Sequence, residues 1–235
     1  MVKTFNGSKV EYSGIVATKF TLGEIGSPSI IHIATHGFAH EKQTVRHGIE
    51  GRGGPMPHNA ADDPLVRCAL VFTGVNDWER LGVSTPLKHY GNGILTAKEV
   101  LKLDLPDTDL LVLSACETAR GQAWNGLGIQ GLRRAFELTG IRSIICTLWS
   151  VADDASAILM EQFYKNLFEH NKSKVDALED AKEYVKNMTC EALYHYYKEN
   201  EFEEAAKKLE SLPLSKPYFR EPYFWAGYIL LGDLD

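Results

Sequence analysis

The chain has 235 residues, 44% hydrophobic and 24% charged, a composition that suits one large soluble globular domain. Its formal net charge of -6 gives no reason to expect nucleic-acid contact and modestly favours basic partners. No apolar run approaches the roughly 18 residues of a membrane span, and the polar start MVKTFNGSKV lacks a signal-peptide core, so a cytoplasmic protein with no membrane partner is expected.

Short apolar runs bounded by turn residues read as buried strands. The first is residues 29–34 (SIIHIA), which leads into His36-Gly37. Residues 39–63 follow, rich in Gly, Pro and charge, and a loop this long is expected to be mobile and to border an active site. It carries Lys42, Arg46 and Arg52, candidate sites of self-cleavage. Residues 69–73 (ALVFT) read as a strand. Residues 96–101 open with a capping box of Thr96 and Glu99. Residues 110–115 form the next strand, and the run LLVLSACETARG places Cys116 where its hydrophobic stretch ends.

Helical spacing covers 127–138, 154–168 and 173–185, with a strand at 143–149 between the first two. The charged stretch 199–210 reads as one exposed helix, and the tyrosines Tyr194, Tyr196 and Tyr197 precede it. Residues 225–231 (WAGYILL) read as the last strand. Strands alternating with helices predict an α/β fold with a mostly parallel central sheet. Chemistry in such sheets gathers beyond the carboxyl ends of the strands. Two strand ends carry reactive side chains here, His36 and Cys116.

The four cysteines, Cys68, Cys116, Cys146 and Cys190, are far apart and contain no CxxC, so zinc binding is not expected and reduced thiols are. His32, His36 and His40 are four apart, but their pattern is strand-like and no carboxylate cluster accompanies them, so no metal is expected. An imidazole beside a thiol takes its proton and later protonates a leaving amine. Main-chain amides of Gly37 and Cys116 are candidates for an oxyanion hole. That chemistry needs no cofactor.

The segments HIATHG, LVLSACETARG, GLGIQGLRRAF, GIRSIICTLWSVADDASAILMEQFY and EPYFWAGYILLGD, in this order, resemble the CHAT family, caspase-like cysteine peptidase domains related to separase. The resemblance runs from about Val16 to Asp233. It implies a caspase–haemoglobinase-like three-layer α/β sandwich over 1–235 and a catalytic dyad of His36 and Cys116. The caspase signature around the cysteine is replaced by Ser-Ala-Cys-Glu-Thr, and His36 and Cys116 stand farther apart than the roughly 50 residues of caspases. Both features fit CHAT domains better. Such domains usually carry a further strand and helix ahead of the matching region, so a chain excised from a larger protein is expected.

LWSVADDASA puts Asp153 and Asp154 after the 143–149 strand. One reading is helix capping by Asp153. The other is recognition of a basic side chain, because a similar separase segment supplies an acid for arginine at P1. The resemblance therefore implies an endopeptidase that cleaves a protein partner after Arg or Lys. It also implies control by a sensor region or partner protein, in settings that include bacterial, RNA-guided defence. The alternative is an inactive caspase-like scaffold. Gly126 to Gly131 satisfies GxGxxG, but it lies too far beyond the strand for a dinucleotide fingerprint and is read as helix packing. Ser114 has no GxSxG context.

Overall fold

A computed structural model describes residues 9–39, 65, 68–75, 93–117 and 127–235. Of the loop expected over 39–63, Ala39 belongs to a strand, and residues 40–63, with Lys42, Arg46 and Arg52, lie outside the described residues. The described residues fall into two compact units. One takes residues from 9 to 150 with Leu231–Asp233, and the other takes Val151–Leu230 with Leu234–Asp235.

Among the described residues, six strands form one sheet: β1 (Ile30–Ala39), β2 (Cys68–Val71), β3 (Ile94–Thr96), β4 (Leu110–Glu117), β5 (Ser143–Thr147) and β6 (Tyr228–Gly232). Their order is β3-β2-β1-β4-β5-β6. β1, β4 and β5 run parallel, while β2 is antiparallel to both β1 and β3. This is the mixed α/β, mostly parallel sheet that the alternating pattern predicts.

The three parallel strands differ in burial. β5 is buried at all five positions, as a strand packed on both faces must be. β1 alternates instead: Ile31 and Ile33 are buried, whereas His32, Ala34 and His36 are exposed. A period of two sends one set of side chains into the core and leaves the other set accessible. β1 also runs further than its apolar run suggests, to Ala39, because its last four residues pair with β2.

Among the described residues, the helices in the first unit are α1 (Lys19–Glu24), α2 (Ala97–Val100) and α3 (Leu127–Glu137). Thr96 and Glu99 form the expected capping box on α2. The Lys19 ammonium bonds the Glu99 carboxylate at 2.7 Å and the Ile94 carbonyl at 3.1 Å, tying α1 to β3. In α3, a Cβ at Gly131 would lie 3.1 Å from the Cys68 Sγ. Glycine there lets the helix approach β2 closely, which is the packing reading of the glycine pattern.

The second unit holds α4 (Asp153–Phe168), α5 (Lys174–Asn187), α6 (Cys190–Glu199) and α7 (Glu203–Leu209). The single helix expected over 199–210 is a helix end, a turn and a separate helix. Glu201 adopts φ 64°, which breaks the helix between α6 and α7. Tyr197 of α6 is buried, and Tyr194 and Tyr196 are half-buried. The last strand begins at Tyr228, because Pro222–Phe224 forms a 3-10 turn ahead of it.

Candidate active site

β1 carries His36 at the point where it is paired on both sides. His36 stands opposite Val71 of β2 and opposite Cys116 of β4. The parallel β1–β4 register runs unbroken from Ile30↔Leu110 to Gly37↔Glu117. Two residues distant in sequence thus become cross-strand neighbours at the carboxyl end of the sheet. Neighbouring strands lie roughly 4.7–4.9 Å apart, so the two backbone positions are adjacent. His36 is exposed, so its ring is accessible to a substrate.

The other cysteines are free and buried: Cys68, Cys146 and Cys190. Burial pushes the Cys146 thiol up to about 11, a rise that the nearby Arg133 only partly offsets. Such a thiol stays protonated at pH 7 and is a poor nucleophile. Among the four, Cys116 is the one at the register position of an exposed histidine.

Lower on the same two strands, the His32 ring Nε2 lies 3.1 Å from the Ser114 hydroxyl, a diagonal contact, since His32 is registered with Val112 and Ser114 with Ala34. The contact shows that these β1 and β4 positions share one face. More than a third of His32 is accessible, yet crowding desolvates its ring and draws its pKa down to about 4. An ordinary histidine near 6.5 is also mostly neutral at pH 7, so the neutral form prevails on either ground. Considered alone, His32 reads only as a candidate metal ligand. Its pairing with Ser114 emerges from strand register, which a single sequence does not print. Among the described residues no His, Cys, Asp and Glu group is arranged to hold a metal. His40 lies outside them.

Asp153 and Asp154 open α4, but neither is its N-cap. That position is Ala152, which makes no side-chain capping bond. The capping reading of Asp153 is therefore corrected. Both carboxylates occupy the first turn, where the helix dipole favours them by about 0.3–1 kcal/mol each. Asp154 is further engaged. One oxygen accepts the Ala155 N–H at 2.8 Å, and the other accepts the Tyr197 phenol proton. Burial and then this carboxylate raise the Tyr197 pKa above its ordinary value. Asp153 is exposed and makes no side-chain hydrogen bond among the described residues.

The family model for the CHAT domain matches residues 3–233, nearly the whole chain. The chain belongs to the CHAT domain family. It is thereby a member of a caspase-like peptidase family, and the sheet agrees with the fold of such peptidases. The matched range covers HIATHG within β1 and SACE at the end of β4 of this CHAT domain. A search of curated proteins found no match. No helix among the described residues is long and apolar enough to cross a membrane.

Proposed function

We propose that this CHAT domain is a cysteine endopeptidase with His36 and Cys116 as its dyad. The register pair His36↔Cys116 carries the reading. In the proposed reaction, His36 takes the Cys116 thiol proton and the thiolate sulfur attacks the peptide carbonyl. A tetrahedral oxyanion forms and collapses to a thioester as His36 protonates the leaving amine. Water, activated by His36, then hydrolyses the thioester and restores the thiol. The amides of Gly37 and Cys116 are the proposed oxyanion donors. Gly37 is registered with Leu70 of β2 and Glu117 of β4, which places it one residue beyond the proposed dyad on β1.

We further propose that Asp153 selects Arg or Lys at P1. Two facts favour Asp153 over Asp154: the first is exposed, and the second is already bonded on both oxygens. The output is cleavage of a protein partner, gated by a sensor region or partner protein, with prokaryotic defence as the proposed setting. A fluorogenic peptide library varied at P1 tests the reading on the parent and on Cys116→Ala. Cleavage after Arg or Lys by the parent alone is expected. Cleavage after other residues would discard the Asp153 assignment. Persistent cleavage by Cys116→Ala would remove Cys116 as nucleophile, and silence from the parent across the library would favour a scaffold.

A further inference from the structure

β4 is not held equally along its length. Its register with β5 runs from Leu110↔Ser143 to Leu113↔Cys146 and ends there. Its register with β1 continues four residues further, to Gly37↔Glu117. Ser114 is the root of this extension and Cys116 lies two positions along it. The Ser114 hydroxyl lies within hydrogen-bond distance of the His32 ring on β1. On the β5 side the next residue is Thr147, whose buried hydroxyl makes no hydrogen bond among the described residues. Among the described side chains, the anchor of the extension comes from β1.

We propose that His32 is a positioning residue that acts through Ser114, fixing the one-sided end of β4 so that Cys116 stays in register with His36. The proposal rests on the dyad reading. Ser114 and Cys116 are at i and i+2, so freedom at the root is passed to the next position of the same face. A neighbouring imidazole lowers a thiol pKa only at close range. Loss of register therefore reduces the thiolate fraction of Cys116.

The test is the rate of Cys116 alkylation by iodoacetamide at pH 7, mapped by mass spectrometry. It is read in the full chain alongside the melting temperature. The parent is compared first with His36→Ala. If that change leaves the rate untouched, the dyad reading itself fails. If it slows alkylation, the tether is tested with His32→Leu, Ser114→Ala and their double variant. Each single change is expected to slow alkylation about tenfold, the effect of one unit in thiol pKa. The double variant is expected to be no slower than either single one, because both remove one interaction. His32→Gln, which can still bond Ser114, is expected to restore most of the rate. Parent-like alkylation in His32→Leu and Ser114→Ala would overturn the proposal. So would additive losses, a rate that tracks melting temperature alone, or no rescue by His32→Gln.

Discussion

β4 and β5 lie side by side in one sheet and each carries a cysteine near its carboxyl end. Cys146 of β5 is buried, in a strand with no exposed position, and its thiol is pushed up to about 11. Cys116 of β4 lies beyond the last residue paired with β5, opposite an exposed histidine. Residue type is the same in both places. What differs is whether the strand end is enclosed or extends beside a base. A thiol within the core packs as a small hydrophobe, whereas one at a strand end paired with an imidazole can be deprotonated.

Substitution at the two cysteines sharpens this contrast most. Cys116→Ala is expected to reduce peptide cleavage on the order of 10³-fold or more, with the melting temperature close to the parent's. Cys146→Ala should keep its cleavage rate per folded molecule and lose about 1 kcal/mol in denaturant unfolding. Equal losses of activity in both would break the comparison. The same separation of roles applies to His36 and Ile145. Ile145 is fully buried in β5, so Ile145→Ala is expected to cost about 2–5 kcal/mol of stability. His36→Ala should leave stability unchanged within about 0.5 kcal/mol while abolishing cleavage.

A smaller effect separates the two aspartates. Asp153→Asn is expected to weaken the preference for basic P1 residues roughly tenfold, the scale of one charge-assisted hydrogen bond. Asp154→Asn should instead lower the melting temperature through its bond to Tyr197, with P1 preference retained. Steady-state kinetics on matched Arg and Gln peptides distinguish the outcomes.

The smallest expected effect lies far from the chemistry. Burial pulls the Glu99 pKa up, but hydrogen bonds from Lys19 and Thr96 outweigh it and hold the carboxyl below its ordinary value of 4.5. A depressed carboxyl stabilises the fold above the unfolded pKa and loses that contribution as pH falls through the folded value. Lys19→Met should therefore cost about 0.5–1 kcal/mol at pH 7, discounted for the partial exposure of Glu99. The gap from the parent should close as pH drops below 4.5. A gap that is constant with pH would assign the loss to packing.

The strands that frame the site were legible because their apolar runs are short and bounded, as at β4 and β5. The capping box at Thr96 was equally plain. Three features were not. β3 has only three residues, too few to establish a period of two. The turn between α6 and α7 depends on the left-handed conformation of Glu201, a residue whose type does not announce it. The N-cap of α4 is an alanine, so aspartate in the next position misdirected the capping reading. For the site, His36, Cys116 and the acidic pair could be picked out as residues. Their pairing could not, because register between β1 and β4 joins segments separated by β2, β3 and α2. The His32–Ser114 contact was hidden for the same reason.

The central claim is that Cys116 and His36 act as one catalytic pair. The most direct measurement is covalent labelling by a peptide acyloxymethyl ketone with arginine at P1, with the modified residue mapped by mass spectrometry. The account predicts a single label on Cys116, lost in His36→Ala and blocked by competing Arg peptide. Labelling of Cys68, Cys146 or Cys190 in the folded chain, or labelling of Cys116 that is indifferent to His36, would contradict it.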